Sequence, residues 1–304
     1  MNPKVNIALV SDDSYFKYMI IAIESIISNI RKNIDLNIYI LDTGIASKNH
    51  EILKKRYDTL DEINIKILQP QVELLKKFKI KTHVSIAAFS KIFIADLINE
   101  EQVIYLDCDL LVREDIYKLW QQFEDDVPLK AVWNPFYNYD SKYMGLSKDD
   151  RTFNSGVMLL NLNLMREMDA STQLLTFLNK YNNKTKLHDQ AAFNAIFKND
   201  WKEIDYKWNY QVSMILSNHE ELEITQKKYL ELYYNPSIIH FTSNSKPWQL
   251  RNSHPYKKEY LKFYQKFYDD KLDRKVYIID VLKRIKEFIL YRKSYITNVK
   301  KSLH

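Results

Sequence analysis

Over its first 110 residues the chain alternates strand-like and helix-like segments without interruption, and few architectures accommodate that pattern. Residues 6–10 (NIALV), 36–41 (LNIYIL), 63–68 (INIKIL) and 103–106 (VIYL) read as strands. Residues 15–30 carry apolar side chains at helical spacing, with Ser14 placed to cap them. Residues 47–57 form a second helical segment, and 85–98 (SIAAFSKIFIADLI), apolar on most sides, predict a buried helix. Such alternation predicts an α/β protein with a mostly parallel, doubly wound sheet and flanking helices. Ligands of such sheets lie beyond the carboxyl ends of the strands.

Past Asp109 the pattern loosens. Residues 131–133, 157–162 and 237–241 (SIIHF) read as strands, 164–181 as one helix and 190–197 as a short one. Near residue 250 the chain turns helical, aromatic and basic. The boundary is therefore expected there: a domain over 1–250 and a helical extension over 251–304.

Charge follows that division. Residues 271–304 hold ten Lys/Arg against three acids, while the other 270 residues carry 35 basic and 36 acidic groups. A neutral body with a basic tail points to an anionic surface as partner. In residues 276–291 (VYIIDVLKRIKEFILY), apolar side chains at 278, 279, 282, 285, 289 and 290 oppose Lys283, Arg284, Lys286 and Glu287. This amphipathic helix suits an anionic membrane, or alternatively packing on its own domain or a partner subunit. The body shows no basic patch, which argues against nucleic acid. No 18-residue apolar window occurs, the N-terminus lacks a signal-peptide pattern, and Cys108 is the one cysteine. The expectation is a cytoplasmic protein, peripheral at the inner face of the plasma membrane.

Three glycines in 304 residues exclude both a GxGxxG and a Walker A loop. Nucleotide phosphates must then be held another way, for example through a metal. The strand 103–106 runs directly into Asp107-Cys108-Asp109. In extended chain, residues two apart share a face, so both carboxylates would converge at a strand's carboxyl end and suit Mg2+ or Mn2+. The other reading is a surface turn whose aspartates cap the next helix. His240 ends a second strand and Lys246 follows before Pro247. The imidazole would complete a mixed oxygen/nitrogen site favouring Mn2+, and the ammonium would reach a diphosphate. A structural histidine is the alternative. Phe153-Asn154-Ser155-Gly156 begins a strand where Gly permits close approach, or is an ordinary turn. Asp189 and Gln190 precede a helix, as an N-cap or as partners of sugar hydroxyls. Asp12 and Tyr15 follow the first strand, to bind a base edge and face or to cap the next helix.

Taken in order, VSDDSY, HVSIAAFSK, YLDCD, FNSGV, HDQ and HF…KPW resemble glycosyltransferase family 8 over roughly residues 4–250, nearest its bacterial lipopolysaccharide galactosyl- and glucosyltransferases. The resemblance implies a GT-A type, Rossmann-like fold and a UDP-hexose-dependent retaining hexosyltransferase using Mn2+, with Mg2+ as the alternative. It implies that Asp107, Asp109 and His240 bind the metal, that Asp12 accepts from uracil and that Tyr15 stacks on it. Lys246 would hold a phosphate, Asn154 and Asp189 would grip the donor sugar, and Gln190 would lie below the anomeric carbon. Lys91, Cys108, Asn134 and Ser243 also fall at donor-binding positions, and His83 at the acceptor position. The acceptor class is a glycan, glycolipid or glycoprotein.

Four positions depart from the family pattern: Lys91 stands for Arg, Asn134 for Asp, Ala191 for an acid and Ser243 for Gly. Retention usually needs a carboxylate nucleophile. Gln190 is an amide, so the expected route is front-face attack from the side on which UDP departs. Two rivals are a nucleotidyltransferase, which would need a Gly-rich phosphate loop, and a non-catalytic sugar-nucleotide-binding or scaffold protein, which would predict damaged metal ligands.

Overall fold

The computed structural model describes residues 2–75, 86–135, 140–147, 149–268 and 278–300. Ten strands lie among them: β1 (Lys4–Ser11), β2 (Asp35–Asp42), β3 (Ile63–Leu68), β4 (Gln102–Leu106), β5 (Leu110–Val112), β6 (Leu129–Trp133), β7 (Phe153–Asn161), β8 (Trp201–Glu203), β9 (Tyr210–Gln211) and β10 (Ile238–His240). The chain forms two compact units.

The first unit comprises Met1–Ile20, Ile30–Cys108 and Asp115–Ile204. Its seven-stranded sheet has the order β3-β2-β1-β4-β7-β6-β8. The pairs β1–β2, β2–β3, β1–β4 and β6–β8 are parallel; β7 alone runs against its neighbours. β1 is buried from Val5 to Ser11, as expected of a strand covered on both faces, whereas the edge strand β3 alternates between half-buried and exposed. Reversal of β7 places its first residues at the carboxyl end of β4: Leu106 pairs with Val157, and the Asp107 amide donates to Gly156 O at 2.8 Å. One apolar core, including Phe89, Ile92, Phe93, Leu174 and Phe193, packs against this sheet.

Two helices expected as continuous are interrupted. The segment 85–98 is a helix over Ile86–Phe89, a 3-10 turn over Ser90–Phe93 and a helix over Ile94–Leu97. Apolar periodicity does not separate three residues per turn from 3.6. The tighter turn is held where Ser171 Oγ donates to Ile92 O at 2.9 Å and where buried Lys91 meets Asp189 at 2.9 Å. The segment 164–181 is Leu162–Glu167 and Ala170–Tyr181, split at Asp169, whose φ of 51° no helix continues through. Ser14 does not cap the first helix, Phe16–Asn29; it donates to Asp12 Oδ1 at 2.6 Å, and the same oxygen accepts from the Tyr15 amide at 3.0 Å. The Asp107–Asp109 pair lies on a bend between β4 and β5, so strand alternation is not what orients it.

The second unit comprises Ile21–Asn29, Asp109–Glu114 and Asp205–His304. In its three-stranded sheet β10 is central, antiparallel to β5 and parallel to β9. Ser25 Oγ accepts from the Val112 amide at 2.9 Å and Asn29 Nδ2 donates to Val112 O at 3.0 Å, clasping β5. Helices Gln226–Tyr234, Lys257–Phe267 and Ile278–Ser294 complete the unit. No helix among the described residues is long and apolar enough to cross a membrane.

His254 sits in an aromatic box, its ring 4.7 Å from Phe241 and 5.6 Å from Tyr291. Its Nδ1 accepts from the Tyr256 amide at 3.2 Å, which leaves Nε2 as the N–H of a neutral ring. Burial pushes its pKa down to about 3 from 6.5. The folded pKa is the lower one, so between those values the unfolded chain binds a proton that the folded chain refuses. Stability is therefore lost as pH falls through 6.5, at a slope approaching about 1.4 kcal/mol per pH unit. In urea titrations between pH 7 and 5, wild type will lose about 2 kcal/mol more than His254→Phe. Parallel curves for the two proteins would contradict a neutral buried imidazole.

Candidate functional site

In the first unit the carboxyl end of β4, the start of β7 and the helix His188–Ile196 bring five of the expected residues together. Lys91, only 2% exposed, is their hub. Its Nζ lies 2.9 Å from Asp189 Oδ2, 3.4 Å from Asp107 Oδ1 and 3.2 Å from Ser155 O, and 4.7 Å from the Tyr105 ring centroid. Burial alone would depress the Lys91 ammonium; Asp107 and Asp189 outweigh it, hold the pKa up and keep the group charged. Tyr105 donates to Asp107 Oδ1 at 2.7 Å, and burial, then Asp107, push its hydroxyl well above the usual range.

Asp189 is not an N-cap. Leu187 holds that position, and Asp189 lies in the first turn, ion-paired to Lys91 and accepting from Ser155 Oγ at 3.3 Å. Gln190 Oε1 accepts from Asn154 Nδ2 at 2.9 Å, while Asn154 Oδ1 accepts from the Gly156 amide at 3.0 Å. Four residues on, Asn194 bridges Phe153, accepting from its N–H at 2.8 Å and donating to its C=O at 2.9 Å. The helix is thereby locked to the start of β7.

Asn134, just past β6, is 1% exposed, and neither polar atom of its carboxamide has a hydrogen-bond partner among the described residues. An orphaned buried amide costs about 1–3 kcal/mol per group. A hydroxyl, both donor and acceptor, would satisfy it. Asp12 and Tyr15 share the turn after β1, where Asp12 Oδ1 is committed to the backbone. Cys108 is buried and its thiol donates to Val10 O at 3.1 Å. His83 lies outside the described residues.

In the second unit Asp109 Oδ1 lies 3.2 Å from His240 Nε2, and Asp109 Oδ2 is ion-paired to Lys246. Burial by itself raises the Asp109 carboxyl, but Lys246 and then His240 hold it well below the usual carboxylate range. His240 Nδ1 faces Asn209 Oδ1 at 2.9 Å. That oxygen only accepts, so Nδ1 donates to it and the ring is held with Nε2 toward the Asp109 carboxylate. Lys246 Nζ also donates to Phe241 O at 2.7 Å, and Ser243 Oγ is engaged with the backbone of Ser245.

Asp109 and His240 of the second unit each offer one candidate ligand atom, as does Asp107, two residues before Asp109 at the end of a segment of the first. Two carboxylates and an imidazole form a donor set suited to Mn2+. An Asn outer partner of this kind fixes a metal-binding imidazole in the required tautomer.

The sequence reading missed Tyr105, Ser155, Asn194 and Asn209. Asn194 shares a helix face with Gln190 at a spacing of four, a usable signal. Ser155 stood inside a motif already singled out. Asn209 carries no local signal, because it reaches His240 across 31 residues through the β9–β10 pairing.

A family model described as Glycosyl transferase family 8 matches residues 6–251. General stress protein A of Bacillus subtilis is 30% identical over 266 residues, covering 85% of this chain and 92% of its own. Glycosyltransferase GlyB of Streptococcus pneumoniae is 30% identical over 299 residues, covering 96% of this chain and 68% of its own. Among solved structures, the galactosyltransferase LgtC in complex with donor and acceptor sugar analogs superposes with a TM-score of 0.74 at 20% identity, covering 92% of this chain and all of that one. Glycosyltransferase GlyE of Streptococcus pneumoniae superposes with a TM-score of 0.64 at 19% identity, covering 86% of this chain and 60% of that one.

Proposed function

Because the chain belongs to glycosyl transferase family 8 and is a glycosyltransferase of the GT-A fold, we propose that it is a retaining transferase moving glucose or galactose from a UDP-sugar to a sugar-bearing acceptor. The observation that supports this reading is a set of two carboxylates and an imidazole, Asp107, Asp109 and His240, each offering one candidate ligand atom. In this proposal Asp107, Asp109 and His240 hold Mn2+, which when bound supplies Lewis-acid neutralisation of the departing diphosphate.

The remaining work falls to the chain itself. Lys246 gives its charge to a phosphate oxygen. Asp12 accepts from the uracil N–H and Tyr15 covers its face. Lys91 fixes Asp189 against the donor sugar, and Asn134 pairs with one of its hydroxyls. Asn154 fixes Gln190, which lies beneath the anomeric carbon. An amide is a poor nucleophile, so the acceptor hydroxyl attacks on the face UDP leaves. The bond from the anomeric carbon to the phosphate oxygen breaks, the bond to the acceptor oxygen forms, and that oxygen's proton passes to the departing phosphate. The family resemblance assigns His83 to acceptor binding, and the acceptor is a glycan, glycolipid or glycoprotein. The catalytic part is assigned to 1–250, the helical extension to 251–304, and the reaction to the cytoplasm, where a chain with one cysteine is suited.

Calorimetric titration tests the reading. UDP is expected to bind at least about tenfold more tightly with Mn2+ than in EDTA, a coupling of about 1.4 kcal/mol or more. Equal affinity would contradict a metal held by Asp107, Asp109 and His240.

A further inference from the structure

The backbone leading into Asp189 and Gln190 is held in a conformation that side chains disfavour. His188, the first residue of the helix His188–Ile196, has a φ of 47°, in the left-handed region. Such strain persists only where the surroundings over-determine it, and it collects at functional sites. Asp140, a buried carboxylate with no part in the proposed chemistry, supplies one restraint. Its Oδ2 accepts from the Lys186 and Leu187 amides, both at 2.8 Å. Asn182 supplies another: its Oδ1 lies 3.0 Å from His188 Nδ1, and the Phe89 ring stands edge-on to the imidazole at 5.9 Å.

Asp140 is itself anchored. Its carbonyl accepts from the Tyr143 and Met144 amides at 2.8 and 3.1 Å, within the helix Ser141–Met144, which packs on His188–Ile196. The Lys186 and Leu187 amides precede the longer helix, so no carbonyl inside it serves them. Leu187 O in turn accepts from the Gln190 amide at 2.9 Å. The carboxylate therefore fixes the residue on which the first helical bond closes. Downstream, Asn194 ties the same helix to Phe153. Asp189 and Gln190 thus sit between two clamps. Releasing the first lets the left-handed turn relax and moves both side chains together. A displacement of about 1 Å at a reacting centre costs on the order of 10²-fold in rate.

We propose that Asp140, seconded by Asn182, is a positioning residue that fixes Asp189 and Gln190 against the donor sugar. The role toward the sugar rests on the transferase reading above; the restraint of the turn does not. The full chain is compared as wild type, Asp140→Ala, Asp140→Asn and Asn182→Ala. In Mn2+, kcat for UDP release from UDP-glucose or UDP-galactose is expected to fall about tenfold or more in both alanine variants, while the Kd of UDP itself, which lacks the sugar, stays within about twofold of wild type. Asp140→Asn, whose carboxamide oxygen still accepts from both amides, should keep at least about half of the wild-type kcat. Hydrogen exchange of the 186–190 backbone amides should quicken about tenfold in the alanine variants, whatever the substrate. If either alanine variant fails to fold, the other carries the comparison. Unchanged exchange would overturn the proposal. So would a kcat within about twofold of wild type, or UDP affinity lost in step with kcat, the mark of a merely structural residue. A wild type that releases UDP from neither sugar would break the transferase reading instead, and the exchange rates would still judge the restraint by Asp140.

Discussion

Asp109→Asn will give a folded protein that releases UDP from its sugar nucleotide about 10²–10³ times more slowly than wild type. The amide keeps the volume of the side chain and removes its charge. That charge faces His240 Nε2 at 3.2 Å and is ion-paired to Lys246, and it supplies one of the three candidate ligand atoms. Its loss therefore weakens the metal site and leaves the Lys246 ammonium without its carboxylate. In EDTA the contrast should vanish, because wild type and variant then lack the same cation. That second arm separates a metal ligand from a residue needed only for packing. A variant retaining more than about a tenth of the wild-type rate in Mn2+ would contradict the role, since one preorganised charge contributes more than that.

The largest stability change will come from Lys91→Met. Methionine fills a similar volume but leaves Asp107 and Asp189 facing a site from which the neutralising ammonium is gone. Lys91 is buried, and the two carboxylate contacts at 3.4 and 2.9 Å are charge-assisted. Removing one partner from a buried ionic cluster costs about 3–5 kcal/mol, because the remaining charges stay unpaired. Urea denaturation should show this loss. Lys91→Met/Asp189→Asn should recover part of it, because the two substitutions touch the same interaction and are not additive. A loss under about 1 kcal/mol would mean that the carboxylates are neutralised from elsewhere.

Long elements and ordered motifs were legible in the sequence. The helix Ser47–Tyr57 and the strand Ile63–Leu68 have the boundaries their periodicity predicts. β5, β8 and β9 span two or three residues each, too few for any alternation to register. Helix breaks were hidden for a different reason. The turn at Lys91 and the kink at Asp169 are imposed by tertiary partners and a left-handed residue, and apolar spacing reports neither. Within the site, YLDCD announced its carboxylates, but the convergence argued from an extended strand belongs instead to a bend. The partners that orient those groups come from distant segments: Asn209 reaches His240 through the β9–β10 pairing, and Ser155 reaches Asp189 where the helix His188–Ile196 packs on β7.

The proposed function turns on metal-dependent activation of a UDP-hexose. It is tested most directly by measuring UDP release from a panel of UDP-sugars with Mn2+ and with EDTA, using the intact chain. Release from UDP-glucose or UDP-galactose is expected to require Mn2+ and to be lost in Asp109→Asn. Release that continues undiminished in EDTA, or that Asp109→Asn leaves intact, would contradict it.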